Sequence, residues 1–213
     1  MPTDPRRLPK RYRNSIFLNF PYDEPFRDLF LAYVVGVCSF GLTPRTTLEI
    51  VGGEQRLRRI ATLIQSCRFS FHDLSRVELK EGEPVTPRFN MPFEAGLAVM
   101  YSLVKKTPGH TYFIFETDYK RLQKSLSDLG GTDVYSHGGT VEGVLREISN
   151  ALIAAKRRPT VEQMLRFVNQ ARDGLQDIMN NARAETPYSA RVFSDLVVFT
   201  NEIVKQQFLR TGV

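Results

Sequence analysis

Between Asn90 and Val104 the chain carries one charged side chain, Glu94. At helical spacing Glu94 shares a face with Leu97, Ala98 and Tyr101, so a helix over this stretch turns a carboxylate toward the protein interior. A buried carboxylate without partners is costly, and its presence asks for a reason. An acid near a helix start gains a few tenths of a kcal/mol up to about 1 kcal/mol, but a solvated acid on the outer face gains the same. A capping box also fits poorly: with Asn90 as cap Glu94 falls one place too far, and with Met91 as cap the capping side chain is missing. Glu94 is therefore the first candidate for chemistry. A fixed carboxylate can stabilise positive charge developing on a substrate or attack the carbon that bears it.

Asp73, Ser75 and Arg76 come next, because they follow an apolar run that ends at Asp73. Alone they fit an ordinary strand end and turn; their interest comes from expected proximity to Glu94. The histidines His72, His110 and His137 lack ligand spacing among themselves, which argues against a catalytic metal. Gly52-Gly53 precedes a helical stretch but matches neither a P-loop nor a dinucleotide fingerprint, and reads as a plain turn. Arg56, Arg58, Arg59 and Arg68 read as a solvated face.

The elements that must position these groups follow from periodicity. Ser15 to Phe20 is a short apolar run ended by Pro21, as expected of a strand buried on both faces. Tyr22-Asp23-Glu24-Pro25 opens a helix that runs to about Gly41. Strands are expected at Thr43 to Ile50, Cys67 to Asp73, Thr111 to Glu116 and Val134 to Ser136. Helices are expected at Glu54 to Ser66, Met91 to Lys105, Tyr119 to Leu129 and Val141 to Ala155. Strict alternation of strand and helix implies a parallel sheet between helical layers. Right-handed crossovers make a flavodoxin-like three-layer α/β sandwich with strand order 2-1-3-4-5 the leading topology. Ligands of such sheets bind beyond the carboxyl ends of the strands, which gathers Asn19, Phe20, Tyr22, Asp23, Glu49, Asp73, Glu116, His137 and the helix start from Asn90 to Glu94 at one rim.

With 213 residues and 42% hydrophobic content the chain can build a substantial core. Of the net charge of +6, most comes from residues 1–13, where Arg6, Arg7, Lys10, Arg11 and Arg13 face only Asp4. A nearly balanced body with a basic arm is not the footprint of a dedicated nucleic-acid binder. Cys38 and Cys67 sit in apolar segments and read as buried thiols in a reducing cytoplasm. Leu29 to Leu42 is too short to cross a bilayer and reads as a core helix; no export signal is evident. After Lys156-Arg157-Arg158-Pro159 the chain is purely helical. The division is then a basic arm (1–13), an α/β domain (14–155) and a C-terminal helical hairpin (156–213). The hairpin must bury two apolar stripes on each other, on the α/β body or on a second copy, so it serves docking or homo-oligomerisation before catalysis.

Ile-Phe-Leu-Asn-Phe-Pro-Tyr-Asp-Glu (16–24), His-Asp-Leu-Ser-Arg (72–76) and Arg-Phe-Asn-Met-Pro-Phe-Glu-Ala-Gly-Leu (88–97) together resemble the nucleoside 2-deoxyribosyltransferase-like group. In that group a strand-end Asp precedes an Asn-x-x-Phe-Glu-x-Gly helix start whose Glu is the nucleophile. The layout is also similar to TIR domains, whose NAD-cleaving members carry a catalytic Glu on a comparable helix. The resemblance covers roughly residues 14–155. It implies cleavage of an N-glycosidic bond in a nucleoside, nucleotide or NAD-type substrate, by hydrolysis or transfer, in a bacterial stress or phage-defence setting. NAD or a nucleotide would then be substrate, and no cofactor is called for. Carried over by position, Glu94 is catalytic and Asp73 orients the ribose or assists the leaving base. Asn90 holds a sugar hydroxyl, Tyr22 and Phe20 line the base pocket, and Asn19, Asp23, Ser75 and Arg76 complete the substrate-binding set. The long charged loop from Ser75 to Phe89 and the lack of a strict TIR signature leave the substrate open. The competing expectation is a TIR-like module that senses a nucleotide or assembles without turnover.

Overall fold

The structure, a computed structural model, describes residues 14–49, 55–76, 79–80, 86–104 and 109–211. Five strands, β1 (Ser15–Asn19), β2 (Thr43–Thr46), β3 (Phe69–Asp73), β4 (Thr111–Glu116) and β5 (Val134–Ser136), form one sheet ordered β2-β1-β3-β4-β5. Every pairing is parallel. This is the expected flavodoxin-like order, with the reversal point between β1 and β3. Seven α-helices accompany it: α1 (Arg27–Ser39), α2 (Arg56–Ser66), α3 (Asn90–Val104), α4 (Tyr119–Ser125), α5 (Val141–Ala151), α6 (Val161–Ala182) and α7 (Ala190–Thr211). A two-residue antiparallel ladder between Leu79–Lys80 and Thr86–Pro87 interrupts the connection from β3 to α3. The basic arm and the Gly52-Gly53 turn lie outside the described residues.

Strand alternation assigns the two faces. Ile16, Leu18, Phe71 and Phe115 join α1 and α5 in one core, whereas Phe17 packs with Ile60, Leu63 and Ile64 of α2 and Ala98 of α3. A period of two in β1 explains this split, since Ile16 and Leu18 must point opposite to Phe17. In β3, Phe69 and Phe71 contact Phe113 on the α1 face, while Ser70 and His72 point to the α2/α3 face.

From Phe30 to Ser39 every residue of α1 is buried. A helix apolar all round needs cover on its outer side as well as on the sheet. The C-terminal hairpin supplies it: Met164, Phe167, Val168, Ala171 and Leu175 of α6, and Val192, Phe193, Leu196 and Val204 of α7, belong to the same core as α1. The hairpin thus buries its stripes on itself and on the α/β body, forming a further layer. Thr160 and Gln163 start α6 with a reciprocal capping box.

Several boundaries differ from expectation. β2 stops at Thr46, and Thr47–Glu49 forms a 3-10 turn. The cause is local: Thr46 Oγ1 accepts from Leu48 N, and the Glu49 carboxylate accepts from Thr46 N and Arg45 Nε, which bends the chain out of the sheet. The expected helix at Tyr119 breaks after Ser125 into a 3-10 turn, and α5 ends at Ala151. Among the described residues no helix is long and apolar enough to cross a membrane.

Candidate functional site

Glu94 sits on the sheet-facing side of α3 with Met91, Ala95 and Ala98, and is only 4% exposed. The helix begins at Asn90 and its first turn contains no acid, so Glu94 neither caps the helix nor answers its dipole from the first turn. Among the described residues its carboxylate makes no hydrogen bond and no ion pair. Burial pushes its pKa up to about 7, with the Arg56 guanidinium pulling the other way. Arg56, exposed at the first position of α2, acts electrostatically on Glu94 and on Tyr22. The Tyr22 hydroxyl shares a 2.9 Å hydrogen bond with Thr47 Oγ1. Burial raises its pKa to about 12 despite that bond, and the Glu94 charge adds to the rise. Three segments, the residues after β1 and the starts of α2 and α3, therefore converge on one carboxylate whose pKa burial raises.

The start of α3 is fastened from below. Asn19 Nδ2 at the end of β1 donates to Met91 O (3.1 Å) and to His72 Nδ1 (2.9 Å). Since Nδ1 of His72 accepts, its proton is on Nε2, which donates to Ser70 Oγ at 2.8 Å. Ser70 in turn donates to His110 Nε2 (2.9 Å), leaving His110 Nδ1–H for Cys67 O (2.9 Å). This chain has a single consistent direction with both rings neutral. Burial, followed by the neighbouring His110, pushes the His72 pKa down to about 3, and burial lowers that of His110. Asn19 is thus an internal strut of α3, 3% exposed, and not a group offered to a ligand.

Asp73 lies at the same rim but is engaged toward the α1 face. Its Oδ2 accepts from the Tyr33 hydroxyl at 2.7 Å, and Oδ1 accepts from the backbone N (2.9 Å) and the hydroxyl of Ser75. His137 Nε2 approaches Oδ2 at 3.2 Å without hydrogen-bond alignment, while His137 Nδ1 accepts from Gly139 N at 3.1 Å. Ser75, Asp73 and His137 do not make a nucleophile triad, because the serine donates to the carboxylate and not to the imidazole. They form a buried lock joining β3, β5 and α1. No contact between Asp73 and Glu94 is found among the described residues: alternation along β3 turns Asp73 toward α1, where Tyr33 holds it, while Glu94 lies on the sheet-facing side of α3.

Phe20 is core, 1% exposed, packed against Tyr22, Phe26, Phe30 and Tyr33. Its contribution to the rim is to seat Tyr22. Asp23 Oδ2 receives Arg76 Nε at 3.1 Å and Arg88 Nη1 more closely, while Oδ1 has no partner among the described residues. Asp23 thereby latches both ends of the segment between β3 and α3. Arg88 and Tyr33 were not assigned a role in the sequence: Arg88 opens the 88–97 string and Tyr33 lies in no motif, and only the topology places them beside Asp23 and Asp73. Asn90 is exposed at the start of α3. A hollow of about 170 Å³ beside that start is lined by Leu74, Phe89, Pro92, Ser125 and Leu126, and not by Glu94. The connections after β2 and β3 at the rim include residues 50–54, 77–78 and 81–85, which lie outside the described residues.

No group of three or more His, Cys, Asp or Glu side chains able to hold a metal occurs among the described residues. Among the described residues the rim instead offers two carboxylates whose pKa burial raises, Glu94 and Glu116, a half-buried tyrosine, Tyr22, and cationic groups from Arg56, Arg76 and Arg88. Comparison with family models, with curated proteins and with solved structures finds no match to this chain.

Proposed function

We propose that this chain breaks the N-glycosidic bond of a nucleoside, nucleotide or NAD-type substrate, with Glu94 as the group that meets the anomeric carbon. The supporting observation is an acid whose side chain is only 4% exposed on the sheet-facing side of α3 and that makes no hydrogen bond or ion pair with a described residue. A purely structural acid in that position would be expected to have partners. Loss of the base leaves positive charge on the sugar ring, and an ionised Glu94 would stabilise that charge or close on C1′ to form a covalent intermediate that water or an acceptor base resolves. Arg56 and the net positive cluster of Arg76 and Arg88 on Asp23 favour a substrate that carries phosphate. In this reading Asn90, exposed at the helix start, would meet a sugar hydroxyl, and Tyr22 would flank the substrate on the β1 side. Asp73 acts at one remove, holding Ser75 and the turn after β5.

The test is incubation of the purified chain with NAD, nucleotides and nucleosides, with released base followed by chromatography. Turnover that disappears in Glu94→Gln supports the reading; equal turnover by that variant removes the assigned role. The unpaired apolar outer side of α3 favours a second reading, a nucleotide-sensing or assembly module. Saturable nucleotide binding by calorimetry, with no released base at any protein concentration, selects it.

A further inference from the structure

Helix α3 has two unlike sides. Opposite Met91, Glu94, Ala95 and Ala98, the side chains of Phe89, Phe93, Met100, Leu103 and Val104 are between 56 and 73% exposed. Their spacing of four, seven, three and one places them on one stripe of the helix. No charged residue interrupts it, since Glu94 is the only charge from Asn90 to Val104 and faces inward. Gly96 lies along the stripe, and a side chain built on it would meet nothing within 4 Å.

We propose that this stripe is a twofold interface at which α3 packs antiparallel against α3 of a second copy of the chain. Four of the five stripe residues are mutually complementary: reversing the helix about the point between Gly96 and Leu97 sets Phe93 over Met100 and Phe89 over Val104, and Leu103 falls opposite Asn90. An isologous contact requires that symmetry, because each residue must meet its counterpart's partner in both directions. Gly96 lets the backbones approach where the axis passes. The same reversal brings Leu103 and Val104 of the second copy over the hollow formed by Leu74, Phe89, Pro92 and Leu126, so each end of the stripe offers a knob to the other's recess.

Size and charge both favour this occupant. Taking roughly 150–200 Å² for each large side chain, the stripe supplies about 500–600 Å² per copy, and the pair reaches about 1,000–1,200 Å², the lower range of a specific interface. An uncharged stripe creates no like-charge repulsion when it meets itself, whereas an acidic or basic partner would find no complement on it. A patch of this extent is at the upper limit of what monomers leave in water.

Sedimentation velocity on the full chain across the micromolar range tests the interface. The expected result is a reversible dimer. Phe93→Glu and Met100→Glu should each weaken it on the order of a hundredfold, by placing a charge in a desolvated contact. Both positions face solvent in the single chain, so an unchanged melting temperature in dilute protein separates lost association from lost folding. Combining Phe93→Lys with Met100→Glu should restore dimerisation, because the antiparallel register places each lysine opposite a glutamate of the other copy. A wild-type chain that stays monomeric, a dimer indifferent to both single variants, or single-variant losses that the charge-paired double fails to rescue would each overturn the proposal.

Discussion

The two faces of the sheet are built to different specifications. On the α1 face, a helix buried all round from Phe30 to Ser39 is sealed beneath a second helical layer, and the rim carboxylate Asp73 is engaged by Tyr33 and Ser75 with His137 alongside. On the α2/α3 face, a polar relay runs through Asn19, His72, Ser70 and His110, Glu94 is 4% exposed with no hydrogen bond or ion pair to a described residue, and the covering helix leaves its outer side bare. Satisfied polar groups and continuous packing stabilise; an unsatisfied desolvated acid does the reverse and persists where something other than stability requires it. The comparison teaches where to look for function on a symmetric-looking scaffold: the face with the poorer energetics is the one on which to test for chemistry.

Substitutions on the sealed face should be the most damaging. Gly143, in the first turn of α5, packs against the turn after β5, where an added Cβ would fall 1.9 Å from the carbonyl oxygen of His137. Neither backbone can yield, so Gly143→Ala should cost on the order of 3 kcal/mol or more in urea unfolding. Leu196→Ala, in the shared core of hairpin and body, should cost about 2–5 kcal/mol in the same measurement. If the hairpin melts separately from the α/β body in that variant, the claim of one continuous core fails.

On the other face the expected effects are smaller and carry pH signatures of opposite sign. Burial holds the His72 pKa at about 3, so the unfolded chain takes up a proton that the folded one does not. Stability should then fall as pH drops below about 6.5 toward 3, by several kcal/mol at the limit. Replacing His72 with Gln should flatten that slope in unfolding titrations. Glu94 behaves in reverse. Its folded pKa of about 7 exceeds the ordinary value of 4.5, so the folded chain holds its proton longer, and stability declines as pH rises from about 4.5 to about 7. Glu94→Gln removes the decline and should leave the protein more stable than wild type above neutral pH, by about 1–3 kcal/mol. A variant that gains stability while losing base release would place this acid among groups retained for chemistry. If the ionised form is the reactive one, the rate should climb through pH 7, and a rate that falls there would argue for a proton-donating role.

The smallest effect belongs to the contact between the layers. The Tyr188 hydroxyl donates to Asp23 O at 2.5 Å, and Tyr188→Phe should cost about 1 kcal/mol, since one hydrogen bond is lost and the ring packing against Tyr22 and Phe30 is kept. A much larger loss would show that the hairpin holds the rim in place and does more than cover α1.

Alternation of apolar strands with helix-length segments was sufficient for the sheet and its order, because burial on both faces leaves a parallel strand one way to be covered. The inward aim of Glu94 was also legible, being a matter of helical period in a stretch with no other charge. The partners were not. Whether Asp73 meets Glu94 or Tyr33 depends on which way a strand's alternation faces, and this is fixed by contacts with α1 that lie forty residues distant in the chain. The burial of the hairpin's stripes against the body, in place of a second copy, was likewise decided only by packing: amphipathic helices declare that they must be covered, while the shape of the fold selects what covers them. Local periodicity is written residue by residue, but the neutralisation of a charge is a long-range event, and for that reason the sequence alone determined the scaffold and the candidate acid, and only the tertiary structure decided which carboxylate stayed unpaired.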